Sequence, residues 1–186
     1  MTAHVVCPWW IGHLLAHPLR RVWQDPAEIL RPFVTEGMTV LEPGCGMGFF
    51  TIDLAQLVGP HGRVVAIDIQ PRMLAGLGRR ARRAGVADRI DARLARPGGL
   101  GTDDLDGRVG FCLAFAMVHE LTDPGRFLSE IHHALEPGGR MLVAEPRGHV
   151  TETAFAVTLD LAAAVGFAVK PGPAIRFSRT AVLSRA

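Results

Sequence analysis

The sequence has no asparagine and a single lysine, Lys170, against nineteen arginines. That bias fits a GC-rich genome and a heat-adapted host equally well. Cysteine is scarce too: Cys7, Cys45 and Cys112 are odd in number and far apart. This spacing excludes a disulfide framework or a C-x-x-C metal pair and points to a reducing, cytoplasmic setting. Neither charge sign dominates, since 20 basic and 18 acidic residues leave a net charge of +2, so charge alone implies no polyanionic partner. No apolar run reaches the roughly 18 residues of a membrane span; the stretch 154–169 is broken by Thr158 and Asp160. The amino terminus has no basic region leading into an apolar one, so no export is expected. Repeats are missing, and the one biased patch is the cluster Arg79, Arg80, Arg82 and Arg83. It reads as a solvated helix end, with an RNA contact as the alternative.

What is present suits one domain: 186 residues, 48% of them hydrophobic, bury a substantial core. From Met38 onward apolar β-prone runs alternate with helical patterns, the order of an α/β protein with a parallel sheet and helices on both faces. Strands are expected at Thr39–Glu42, Val64–Ile69, Ile90–Leu94, Val109–Ala116, Arg140–Glu145, around Phe167–Val169 and near Ile175–Leu183. Helices are expected at Pro26–Phe33, Phe49–Leu57, Pro71–Ala84, Pro124–Leu135 and Thr151–Val165, two of them closed by Gly85 and by Pro137-Gly138-Gly139. Residues 1–37, with Pro8-Trp9-Trp10, are too few for a second domain. They are expected to cover the site as a lid over a domain spanning 38–186.

The most informative segment is Val40 to Thr51, which passes from an apolar strand through Gly44, Gly46 and Gly48 into an apolar helix. Glycine there allows backbone angles closed to other residues and lets a ligand approach without meeting a Cβ. A helix start beyond it offers free N–H groups. A dinucleotide loop reads G-x-G-x-x-G, but here the third glycine comes one residue early, with Phe49 in the expected place, which argues against a nicotinamide enzyme. Twenty residues after Gly48, the strand Val64–Ile69 carries Asp68, where this fold places an acceptor for ribose hydroxyls. An N-cap or turn role before Pro71 is the competing reading.

Glu42 followed by Gly44, Gly46 and Gly48 resembles motif I of the class I S-adenosylmethionine-dependent methyltransferases, and the likeness runs from about Pro26 to Leu183. It implies a Rossmann-like, doubly wound, mostly parallel seven-stranded sheet with an antiparallel last strand. It also implies S-adenosyl-L-methionine as cofactor and S-adenosyl-L-homocysteine as product. The implied cofactor contacts are Glu42, the three glycines, Asp68, Ile69, Met73, Leu94, Ala95, Ala114 and Phe115. Three positions depart from the family: Leu94 replaces the Asp that takes the adenine amino group, and Ala114-Phe115 replace Ser-Asn on the fourth strand. His119 keeps the His of the Ser-Asn-x-Val-x-His pattern found in the branch with quinone-biosynthesis and arsenite methyltransferases. Leu135-Glu136-Pro137-Gly138-Gly139-Arg140-Met141-Leu142-Val143 is similar to the family's L-x-P-G-G-x-L-x-V.

Transfer from a sulfonium needs alignment and a dry pocket, and needs a base only when the acceptor must lose a proton. His119 is the candidate general base or substrate contact, with ordering of its loop as the alternative. Glu120 and Glu145 stand at the same strand edge, and a salt bridge to an arginine is expected for Glu145. His13 and His17, four apart, lack a third metal ligand; His132 and His133, being adjacent, diverge on a helix. Cys7 is the one thiol expected to be reactive, and one thiol makes no metalloid trap. The fourth strand lacks the Asn-Pro-Pro-Tyr and Pro-Cys signatures of nucleic-acid methyltransferases, which favours a small-molecule acceptor. Two alternatives stay open: an NAD(P)-dependent oxidoreductase on a related fold, and a non-catalytic S-adenosylmethionine-binding protein.

Overall fold

A computed structural model describes residues 18–95 and 99–186. The expectations placed on Cys7, Trp9, Trp10, His13 and His17 lie outside the described residues. The described chain falls into two compact units, 18–95 and 99–186.

In the first unit a short turn, Pro18–Val22, precedes helix α1 (Pro26–Leu30). Asp25 caps α1 by accepting the Ala27 N–H, and Pro26 presets φ at its first position. The helix stops at Leu30 and does not reach Phe33, because Pro32 has no N–H for the Glu28 carbonyl. Strand β1 (Thr39–Pro43) leads to helix α2 (Thr51–Leu57), β2 (Arg63–Asp68), α3 (Pro71–Ala84) and β3 (Ile90–Leu94). β1 pairs in parallel with β2 from Thr39↔Arg63 to Pro43↔Ile67, and β2 with β3 from Val64↔Ile90 to Asp68↔Leu94. Val40, Leu41, Val64, Val65 and Ala66 are fully buried, which explains why these strands read as unbroken apolar runs. α2 begins two residues later than expected because Gly48, at φ +82, holds the chain in a turn.

The second unit runs β4 (Val109–Phe115), α4 (Pro124–Ala134), β5 (Leu135–Pro146), α5 (Glu152–Val165), β6 (Phe167–Pro171) and β7 (Ser178–Arg185). Asp123 and Thr151 cap α4 and α5 by accepting the N–H groups of Arg126 (2.9 Å) and Ala154 (3.1 Å). β5 is longer than its pattern suggested. Its parallel ladder with β4 slips between Val109↔Leu135 and Phe111↔Arg140, so Pro137-Gly138-Gly139 forms a bulge inside the strand. Gly139 is required there, since a Cβ would sit 2.8 Å from the Glu136 carbonyl oxygen and 2.9 Å from that of Val109. β7 runs antiparallel to both β5 and β6. It starts at Ser178, not Ile175, because Phe177 at φ +63 leaves the extended region. The seven strands follow the order β3-β2-β1-β4-β5-β7-β6, a mostly parallel, Rossmann-like sheet whose last strand is antiparallel.

Candidate functional site

Beyond β1 the chain turns through Gly44, Gly46 and Gly48, with φ of +71, +54 and +82, angles that strain any residue with a Cβ. The turn is fastened to β2, where the N–H groups of Gly44 and Cys45 donate to the Ile67 carbonyl at 2.8 and 3.1 Å. The glycines differ in what surrounds them. A Cβ on Gly46 would meet nothing within 4 Å, whereas one on Gly48 would lie 2.4 Å from Leu77 Cδ1. Gly46 therefore keeps one face of the loop open, and Gly48 lets α3 pack against it.

Two carboxylates flank this loop, Glu42 near the end of β1, 4% exposed, and Asp68 at the end of β2, 8% exposed. Asp68 Oδ2 accepts the Gly46 N–H (2.9 Å), and Oδ1 accepts the Gln70 N–H (2.8 Å). Both readings of Asp68 meet here: it orders the turn before Pro71 and it stands against the glycine loop. Thr51 Oγ1 donates to Glu42 Oε2 at 2.6 Å. No motif marked Thr51; its signal is a hydroxyl opening the helix that follows the loop. Burial pushes the Glu42 carboxyl up to about 8, opposed by the Thr51 bond and reinforced by the Asp68 charge. Burial raises Asp68 as well, against the N–H groups of Gln70, Gly46 and Ile69. Among the described residues neither carboxylate has an ion-pair partner. A cationic ligand compensates such a site, and a pyrophosphate does not.

Leu94 stands opposite Asp68, and the Ala95 N–H donates to the Asp68 carbonyl at 3.0 Å. Ile69 and Leu94 are 57% and 51% exposed, two large apolar side chains at adjacent strand ends that suit a flat nucleoside base. Met73 is buried on α3. The Cys45 thiol packs with Ala66 and Leu77, and burial, followed by the charges of Glu42 and Asp68, raises it well above the usual range. It is no reactive thiolate. Ahead of β1, Arg21 grips Asp53 of α2 through both oxygens (2.9 and 2.7 Å). The Arg20 guanidinium lies 4.3 Å from the Phe49 ring centroid, and burial lowers it to about 10. The turn 18–22 is thereby fixed to the residues just past the glycine loop. Arg79, Arg82 and Arg83 are exposed; Arg80 is half-buried, chiefly lowered by burial, and feels Asp53 and Arg21, so the expected solvated helix end is only partly solvated.

In the second unit β4 leads out through Ala116 at φ +55, whose N–H donates to the Ala144 carbonyl (2.7 Å). Ala114 is fully buried and Phe115 half-buried. Glu145, 1% exposed, gathers the following turn. Its Oε1 accepts the N–H groups of Met117 (3.2 Å) and Val118 (2.9 Å), and its Oε2 pairs with His119 Nδ1. The arginine partner expected for Glu145 is corrected to His119, because Arg147 points its Nε at the Ser178 carbonyl (3.1 Å). The Glu145 bond raises His119 above its ordinary value against burial, helped by the charges of Glu145 and Glu120. The His119 ring meets His149 edge-on, with centroids 5.8 Å apart. His132 packs on Phe167 at 4.9 Å, and His133 Nδ1 bonds the Ser129 carbonyl at 2.7 Å. Among the described residues no cluster of three potential ligands could hold a metal, and no helix is long and apolar enough to cross a membrane.

Residues 34–170 match a family model described as a methyltransferase domain. The chain is 36% identical over 149 residues to a ribosomal protein L11 methyltransferase of Methylococcus capsulatus, covering 80% of this chain and 44% of that protein. It is 32% identical over 136 residues to a ubiquinone/menaquinone biosynthesis C-methyltransferase of Pasteurella multocida, covering 73% of this chain and 49% of that protein. It thus spans about half the length of these curated relatives. In fold it is similar to the crystal structure of a SAM-dependent methyltransferase from Aquifex aeolicus, with TM-score 0.84 and 24% identity, covering 96% of this chain and 98% of that one.

Proposed function

The chain belongs to the class I S-adenosylmethionine-dependent methyltransferases, whose cofactor is S-adenosylmethionine, and from that premise we propose that it methylates a small-molecule acceptor and releases S-adenosylhomocysteine. The observation that carries the reading is the pair of buried carboxylates, Glu42 and Asp68, facing a glycine loop with no ion-pair partner among the described residues. Glu42 fits a net-cationic sulfonium nucleoside, Asp68 suits the ribose of either cofactor, and the family assignment sets aside the nicotinamide alternative.

In the proposed roles, Asp68 takes the ribose hydroxyls, Glu42 offsets the ligand's positive charge, and the open face of Gly46 lets the ligand reach the loop backbone. Ile69 and Leu94 hold the base by apolar contact. Leu94 leaves the adenine amino group to backbone acceptors, since the family's side-chain carboxylate is missing there. The turn at 18–22, held by Arg21 on Asp53 and Arg20 on Phe49, acts as part of the cover of the cofactor end. The cofactor supplies a methyl group already activated by its sulfonium. This chain's residues bind, align and exclude water.

A small acceptor is favoured by the near-neutral charge and by the fourth strand, which carries neither nucleic-acid signature. One relative's name refers to a ribosomal protein and another's to quinone biosynthesis, so the test must separate these classes. With methyl-tritiated S-adenosylmethionine, label should enter the low-mass fraction of a host extract. Label in the protein or RNA fraction contradicts the small-molecule assignment. Tight cofactor binding with no transfer to any fraction contradicts it as well.

A further inference from the structure

We propose that Glu145 is a positioning residue that holds His119 with Nδ1 turned toward itself and Nε2 as a proton acceptor, so that the methyl acceptor is a protic group: a hydroxyl, an amine or an activated C–H. This rests on the methyltransferase reading and adds to it the chemical class of the acceptor atom.

The geometry is asymmetric. The Glu145 side chain is 2% exposed and that of His119 is 23% exposed. Two backbone N–H groups, from Met117 and Val118, fix the Glu145 carboxylate in place, and its second oxygen takes the His119 Nδ1. Among the described residues Nε2 has no hydrogen-bond partner. A carboxylate that accepts Nδ1–H leaves the lone pair on Nε2, fixes the ring orientation and raises its basicity. Among the described residues the charged or titratable groups facing the ring are Glu145, Glu120 and His149. Neighbouring Ala116 holds a left-handed φ of +55, strain of the kind that gathers where a turn must present a side chain.

The step balances. The acceptor's X–H bond breaks and its proton goes to His119 Nε2. The freed pair on X forms the X–CH3 bond, and the pair of the broken S–CH3 bond stays on sulfur. The imidazolium that results is stabilised by the buried Glu145 carboxylate. His119 then returns the proton to solvent.

The test begins with 15N-histidine NMR on the cofactor-free protein. Neutral His119 should carry its proton on Nδ1 and titrate above 6.5. Glu145→Gln should lower that pKa, and Glu145→Asp should restore part of the shift; a melting curve on each variant confirms that it folds. Diethyl pyrocarbonate should acylate His119 at Nε2, with a rate that follows the same titration. A proton on Nε2 in the neutral form, or a pKa indifferent to Glu145, overturns the proposal. So does an acceptor found by the tritium experiment to be a thioether or tertiary amine. Failure of the methyltransferase reading would show separately, as absence of S-adenosylmethionine binding.

Discussion

Glutamine in place of Glu42 keeps the side chain's shape and an acceptor for Thr51 Oγ1, but removes a carboxyl that burial holds up at about 8. In the unfolded chain the same group ionises near 4.5. Between those values the folded protein holds a proton that the unfolded chain has lost, so stability falls as pH rises, by up to about 1.4 kcal/mol per unit. From pH 5 to 7 the loss is about 2–3 kcal/mol, and above 8 it levels off. The variant lacks this slope, so its advantage over the native chain should grow across that window. Urea unfolding of both cofactor-free proteins at half-unit steps from about pH 5 to 8.5 measures it. Part of the slope comes from the Asp68 charge, which reinforces the Glu42 shift and has no carboxyl to act on in the variant. A cationic ligand should expel the Glu42 proton near neutrality, visible as proton release in calorimetry across buffers of different ionisation heat and missing in the variant. Parallel stability profiles for the two proteins would refute the reasoning.

Asp68→Ala should weaken S-adenosylhomocysteine binding by about 1–3 kcal/mol, roughly ten- to a hundredfold, by leaving ligand hydroxyls and the Gly46 and Gln70 N–H groups unpaired. Unchanged affinity in calorimetry contradicts the assigned role. Alanine at Gly46 should cost stability only about 1–2 kcal/mol, for its left-handed backbone, yet obstruct the ligand. Alanine at Gly48 should cost more, since its Cβ displaces Leu77 from 2.4 Å, adding about 1–3 kcal/mol of overpacking. Melting curves and ligand titration of the pair separate these effects, and a Gly46→Ala protein that binds normally would count against the open face of the loop.

The fold was legible where periodicity and punctuation agree. Helix α3 runs Pro71–Ala84 between its proline start and Gly85, as its pattern predicts, and β3 matches at both ends. The departures have local causes that periodicity does not encode. Pro32 truncates α1, the left-handed Gly48 delays α2, and the bulge at Pro137-Gly138-Gly139 belongs to β5 only because β4 lies alongside it. In the candidate site the glycine loop and Asp68 announce themselves because a strand–turn–helix–strand unit sets a recognisable spacing between the turn and the acidic end of the next strand. Thr51 beneath Glu42 and Glu145 behind His119 do not. The latter pair is 26 residues apart, and a hydrogen bond made through tertiary folding leaves no spacing to read. Arg147, two residues from Glu145, was the nearer partner in sequence and the wrong one, since the strand end turns it toward Ser178.

The central claim is that a glycine loop between two buried carboxylates without ion-pair partners among the described residues takes an S-adenosyl ligand and not a dinucleotide. Isothermal titration of the protein with S-adenosylmethionine, S-adenosylhomocysteine and NADH tests it most directly. Saturable one-site binding of both S-adenosyl ligands with none of NADH is the predicted result; NADH binding in the absence of either S-adenosyl ligand's binding would contradict it.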